Sequence, residues 1–287
     1  MNVVVSRSDY ERDLRRAVRH FGDYGPVMLH TDLLRIGVLD RRGTKDEVCG
    51  AHVDCLQDVF EGRPLIFPTF NYTFYRTRLY DVLSDPCQIG VLNEYVRRRY
   101  PDRRTLTPVF NHVIVNDHDF GTGFHANPFG REDIFWQAMQ RRGLACMLGP
   151  GLSNSTFQHV AEDAADVPYR YRKTFRGKVR SAVETLEVVF EPQVLPLDPQ
   201  ARSLIIYEWD RLQKILEGDG ALVCMPLGRA TVLIYDLAAC FQRYTWLLER
   251  NILCALTPAS QESILRYLDR LGGPMTVGNM EPGWTGA

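Results

Sequence analysis

The sequence contains no run of 18 apolar residues free of charge, so it lacks the pattern of a membrane-spanning helix. The nearest approach, ALVCMPLGRATVLIYDLAAC, is interrupted by Pro226, Gly228, Arg229 and Asp236 and reads as strands joined by a turn. The opening MNVVVSRSDYERDLRR turns charged too early to form a secretory apolar segment. The seven cysteines are odd in number, widely spaced and without a CxxC pair. That argues against a zinc knuckle or a disulfide scaffold and for buried thiols in a reducing, cytoplasmic setting. Neither sign of charge dominates: 34 basic and 35 acidic side chains leave a formal charge of -1. A long-range pull toward nucleic acid or an anionic membrane is therefore missing, and neither is expected as a partner. Internal repeats and low-complexity linkers are also missing, so one compact domain over residues 1–287 is expected, with a C-terminal subregion from about 200.

What is present is an ordinary globular balance, 45% hydrophobic and 24% charged over 287 residues, enough for one large α/β core. Leu14, Val18 and Phe21 recur at helical spacing within residues 8–21, and PVMLH at 26–30 reads as a strand. A further helix is expected over 44–60, and PLIFPTF at 64–70 is a buried strand interrupted by Pro68, an ending that often borders a cleft. DIFWQAMQRRG at 133–143 is a helix closed by Gly143, LACML at 144–148 a strand, GPGLSNST at 149–156 a turn, and FQHVAEDA resumes helical spacing. Helix, strand, turn and helix in this order favour a layered α/β core.

The turn and the helix after it hold the chemistry. Asn154, Ser155 and Thr156 are candidate caps. His159 and Glu162, three residues apart, share one helical face. A carboxylate there orients the imidazole through one ring nitrogen and leaves the other to accept a proton. Free histidine titrates at about 6.5, and a neighbouring negative charge makes the neutral ring a stronger base. The pair suits general-base activation of an amine, a hydroxyl or water; the same spacing also describes a surface ion pair. Ser153 and Ser155 are not in a GxSxG elbow. Gly149 and Gly151 would let backbone approach a substrate and offer amides to a developing oxyanion.

VMLHTDLLRIG at 27–37, IFPTFNYTF at 66–74, IGVLNEYVRRRYPDRRTLTP at 89–108, the stretch 127–162 ending in FQHVAE, and VPYRYRK at 167–173 together resemble the aminoglycoside 3-N-acetyltransferase family, which is unrelated in fold to the GNAT acetyltransferases. ILEGDGALVCMPLGRATVLIYDL at 216–238 fits more loosely. The resemblance implies a layered α/β/α architecture, acetyl-CoA as donor and direct transfer to an amine, with His159 as the catalytic histidine and Glu162 as its support. It also implies that His30, Thr31, Arg104, Thr105, Gly149 and Gly151 border the cofactor. The pattern is not complete. Thr107 stands where the family has a histidine before Pro108, Asn111 replaces a usual serine, and Leu152 and Ser153 replace a His-Asp pair. These losses weaken the transfer of aminoglycoside specificity more than that of His159 chemistry.

Other constellations compete. Asp117, His118, Asp119 and His125, with His112 nearby, resemble metal ligands but complete no standard pattern, and no metal is expected. Arg98, Arg99, Arg103 and Arg104 are candidates for a phosphate-bearing donor. The basic residues from Arg170 to Lys178 interleave with Tyr169, Tyr171 and Phe175, and read as a donor-binding wall or a structural amphipathic segment rather than an RNA surface. Glu94, Asp163 and Asp166 would favour a cationic acceptor if they face the cleft. Trp136 reads as packing, and Trp284 receives no role. The expectation is a CoA-dependent N-acetyltransferase acting on an aminoglycoside, amino sugar or related small amine, with a homodimer admitted. The alternatives are a noncatalytic small-molecule-binding relative and a metal-dependent hydrolase built on residues 112–125.

Overall fold

The computed structural model describes residues 4–40, 42–117 and 119–286. Short apolar runs build the central sheet: β1 (Val27–Thr31), β2 (Leu65–Pro68), β3 (His112–Val115), β4 (Leu144–Leu148), β5 (Leu222–Leu227) and β6 (Ala230–Asp236). Their spatial order is β5-β6-β4-β1-β2-β3. The inner pairs β4–β1 and β1–β2 are parallel and the others antiparallel. Period-two alternation divides the side chains between two faces. Val27, Leu29, Leu65, Phe67, Cys146 and Ile234 point to one cluster, and Met28, Ile66, Ile114, Met147, Leu233 and Tyr235 to the other.

Helices cover both faces. On the first lie α1 (Arg7–Val18), α2 (Lys45–Val59) and α3 (Val91–Arg99), contributing Leu14, Val53, Leu56, Leu92 and Val96. On the second lie α4 (Ile134–Gln140), α5 (Gln158–Ala164), α6 (Trp209–Gly218), α7 (Leu237–Arg250) and α8 (Pro258–Leu271), contributing Phe135, Val160, Leu216, Tyr244 and Ile264. The expected α/β/α sandwich is the observed one, and helices after residue 200 share their apolar cluster with α4 and α5.

Local signals set several ends. Thr44 and Glu47 form a reciprocal capping box at α2. Asp236 caps α7, accepting from the Ala239 amide, and Thr257 caps α8. The opening helix ends at Val18 and tightens into a 3-10 turn over Arg19–Phe21, and a single helical turn, Leu33–Ile36, follows the first sheet strand. Beside the sheet, Phe175–Arg180 pairs with Thr185–Phe190 and with Leu79–Asp81, over a smaller cluster that includes Phe74, Tyr80 and Phe190.

Pro68 is tolerated because β1 pairs with β2 only at Val27–Leu65 and Met28–Ile66, so the two strands part before the proline is reached. Asn93 of α3 is tied across the parting strands. Its amide donates to the Pro68 carbonyl (2.5 Å), and its carbonyl accepts from Thr31 Oγ1 (3.2 Å).

Candidate active site

His159 sits on the second residue of α5, and its ring is oriented from behind. Nδ1 lies 2.7 Å from Glu162 Oε2. That contact puts the proton on Nδ1 and leaves a lone pair on Nε2. Glu162 is 0% exposed, and three further groups hold it: Tyr169 Oη (2.9 Å) and Tyr244 Oη (3.4 Å) donate to Oε1, while Arg170 Nε lies 2.9 Å from Oε2. Burial pushes this carboxyl up, but the Arg170 charge and the hydrogen bonds from His159 and Tyr169 reverse the effect and bring it down to about 2. Glu162 is therefore a carboxylate at any working pH. Tyr207 in turn accepts from Arg170 Nε (3.1 Å) and Nη2 (2.9 Å), so the guanidinium is fixed in place.

The imidazole departs from expectation in one respect. Glu162 alone would raise its basicity, yet burial and the Arg170 charge outweigh the carboxylate and lower the His159 pKa. The ring is neutral at pH 7, the form a base requires. Arg170 Nη2 approaches Nε2 at 3.4 Å, a long and weak contact that an incoming group can replace. The His159 side chain is 23% exposed and lines a cavity of about 520 Å³ together with Thr156, Arg170, Lys173 and Arg202. Tyr72, Tyr75, Phe110, Phe129, Phe175 and Trp284 supply its aromatic wall.

A second cavity, of about 340 Å³, opens at the carboxyl ends of β1 and β4, where open α/β sheets bind ligands. His30, Thr31, Arg35, Asn93, Pro150 and Asn154 line it. Burial lowers His30 to about 4, so its imidazole is neutral. The turn after β4 contributes to both cavities, Pro150 and Asn154 to one and Thr156 to the other. Gly149 makes that turn: its φ is 94°, and a Cβ would stand 3.2 Å from the Asp32 carbonyl oxygen.

Several expected site residues lie elsewhere. Arg104 is buried and spends its guanidinium on Thr69, Asn111 and the Val82 and Asp85 carbonyls, so it braces the loops rather than facing a ligand. Thr105 is buried too, its hydroxyl accepting from the His112 amide. The Gly149 amide donates to the Thr231 carbonyl within the sheet and is not offered to an oxyanion, and Gly151 lines neither cavity. Arg98, Arg99 and Arg103 pair with Asp46, Asp54 and Asp102. Glu94 is bound to Arg97 and the Cys87 amide, Asp163 to Arg172 and Asn127, and Asp166 borders a separate depression beside Pro274 and Thr276. No acid of that expected trio reaches the His159 cavity, because each is neutralised locally or points away. Ser155 does not cap α5; its hydroxyl is bonded to Tyr235.

The rival metal constellation does not converge among the described residues. His112 is fully buried between the Phe70 and Phe135 rings, Asp117 faces Arg141, and His125 faces Glu132. His118 lies outside the described residues, among which no group of three or more histidine, cysteine or acidic side chains is placed to hold a metal ion. None of the described helices is long and apolar enough to cross a membrane.

Sequence reasoning missed three features. Arg170 completes the His159–Glu162 cluster, Gln193 enters the cavity wall from a two-residue strand, and Trp284 closes that wall from the chain's end. The VPYRY run pointed to Arg170, whereas nothing in the sequence places Gln193 or Trp284 beside residue 159.

The α/β/α sandwich thus places a histidine braced by a buried carboxylate in one cavity, and the turn after β4 joins that cavity to the one at the strand ends. The chain belongs to the aminoglycoside 3-N-acetyltransferase family, whose model matches residues 28–249. Solved structures with the same fold include aminoglycoside acetyltransferase AAC(3)-Xa, at 19% identity and TM-score 0.66 over 86% of this chain and 93% of that one. AAC-IIIb, solved as a binary complex with CoASH, matches at 18% and 0.66, covering 86% and 98%. YokD from Bacillus subtilis matches at 15% and 0.63, covering 84% and 100%. A search among curated proteins finds no match.

Proposed function

We propose that the protein transfers acetyl from acetyl-CoA to the amine of an aminoglycoside, amino sugar or related small molecule, with His159 as general base. The carrying observation is the ring geometry: Nδ1 engaged by a buried carboxylate, and the ring lining a cavity large enough for a small molecule. The cavity at the ends of β1 and β4 suits the donor, and His30 and Thr31 shape it. Arg35 lines both this cavity and an adjoining one that holds Arg229, two cations in reach of a phosphate-bearing ligand. When bound, acetyl-CoA supplies an activated acyl carbon and a thiolate leaving group.

His159 Nε2 takes the proton of the attacking amine as its nitrogen bonds to the acyl carbon. Glu162 stabilises the imidazolium thus formed. As the carbon–sulfur bond breaks, the imidazolium returns the proton to the departing sulfur, and amide and CoA thiol leave with His159 neutral again. Neither a cysteine nucleophile nor a metal is used. The intact histidine–carboxylate–guanidinium cluster favours this reading over a noncatalytic binding role, which would not require a fixed tautomer.

His159→Ala should lower kcat by roughly 10²- to 10⁴-fold, the usual worth of a positioned base. Thermal stability and the Kd for CoA should stay near the parent values. Product identification by mass, alongside release of free CoA, is the measurement, and unchanged turnover would remove His159 from its role.

A further inference from the structure

We infer that, among the acceptors the acetyl-transfer reading of the His159 cavity leaves open, the one that fits is a small amine on a flat, largely apolar body bearing a negative group, and that a polycationic aminoglycoside is the poor fit; this rests on that reading and narrows it. Among the described residues no aspartate or glutamate lines that cavity, whereas Arg170, Lys173 and Arg202 do. Two of these cations have counter-ions behind them: Arg170 on Glu162 and Lys173 on Glu281, which also accepts from Tyr171 Oη. Arg202 has none. It is exposed on the short helix Pro199–Ser203, and no described carboxylate forms an ion pair with it, so the cavity wall carries an uncompensated positive charge. An ammonium-rich acceptor meets repulsion there, and an anion meets a partner.

The aromatic wall does not reverse this. Six rings could in principle cage an ammonium group, but the protein's own cations already occupy two of them. Lys173 Nζ stands 3.7 Å above Trp284 and 5.4 Å from Phe175, and the Arg78 guanidinium lies 5.3 Å from Trp284 and 5.0 Å from Phe175. The faces left open suit stacking against a flat apolar body. Gln193 adds an independent sign of a ligand. It lines the cavity and is only 3% exposed, yet neither its amide nitrogen nor its oxygen has a hydrogen-bond partner. Buried amides are rarely left so, and a turn of this side chain toward the cavity would let a bound polar group pair with it.

The test compares four acceptors with acetyl-CoA: 4-(aminomethyl)benzoate, 4-(aminomethyl)phenyl phosphate, uncharged-bodied benzylamine, and the aminoglycoside gentamicin. The carboxylate and phosphate arms separate the two sources of negative charge. Each kcat/KM is measured with the product identified, and each acceptor's Kd is measured by calorimetry with CoA present. An anionic acceptor should exceed benzylamine by about tenfold, the worth of one charge-assisted hydrogen bond, and gentamicin should rank last. In Arg202→Ala the anionic-to-neutral ratio should fall to about one, and Arg202→Lys should restore most of it. Gentamicin binding as tightly as the anionic acceptors, or a ratio unmoved by Arg202→Ala, would overturn the inference. Absence of transfer to every amine, with the binding order kept, would count against the catalytic reading while upholding the charge preference.

Discussion

Arg170 lies beside both members of the His159–Glu162 pair, and its charge acts on them in opposite senses to the same end. It holds Glu162 ionised and opposes protonation of His159, so the base is neutral yet its conjugate acid is supported. With the His159 pKa below its ordinary value of about 6.5, the acid limb of kcat/KM should fall below pH 6.5. Arg170→Met removes a charge that disfavours the imidazolium. The limb should therefore move to higher pH, while Arg170→Lys should leave it near the parent position. The measurement is a pH profile with an acceptor whose own ionisation lies outside this range. An acid limb that stays put in Arg170→Met would assign the residue to packing alone. The variant should also be destabilised by about 3–5 kcal/mol, the common cost of leaving a buried charge unpaired.

Single elements show how far local signals reach. α5 has only seven residues and no side-chain cap, too short to persist unaided in water. Its register comes from contacts with distant segments: the preceding Ser155 is bonded to Tyr235, and Gln158 Oε1 accepts from Cys240 Sγ at 3.6 Å. At the start of α4, Thr107, standing where the family pattern has histidine, donates to Asp133 Oδ2 at 3.0 Å. Burial drives the Asp133 carboxyl up to about 8, although its hydrogen bonds pull the other way. Against an unfolded value of about 3.9, the folded state keeps a proton that the unfolded chain releases. Stability should accordingly be greatest below about pH 4 on this account and fall as pH rises to about 8. Asp133→Asn carries no ionisable proton. Its melting temperature should vary less over that interval and exceed the parent's at pH 8; parallel pH dependences would refute the assignment.

Across the whole molecule, the His159 cavity, proposed for the acceptor, is completed by residues more than a hundred positions from His159. Trp284 Nε1 donates to the Thr174 carbonyl (3.0 Å), its ring meets Phe175 edge-on, and Glu281 pairs with Lys173. The cavity at the ends of β1 and β4, proposed for the donor, shares none of these residues. Trp284→Ala should therefore raise the acceptor KM by roughly tenfold, about 1.4 kcal/mol of lost contact, and leave the Kd for CoA unchanged. Equal weakening of both ligands would show that the tail supports the fold rather than the acceptor.

The layered fold was legible in the sequence because strand and helix periods are local properties, and LACML at 144–148 matches β4 residue for residue. His159 and Glu162 were legible for the same reason, since residues three apart are neighbours once the helix is formed. Charge partners were not. Arg104 and Asp163 had plausible spacing for ligand contacts, yet each is consumed by groups that the packed chain brings near, whereas Glu94 is held mainly by Arg97, three residues on in its own helix. Which cations line the His159 cavity, and that no described acid does, was decided in three dimensions. Electrostatic and hydrogen-bond partners depend on distances through space, and the strand order that sets those distances is not a periodic property of the sequence.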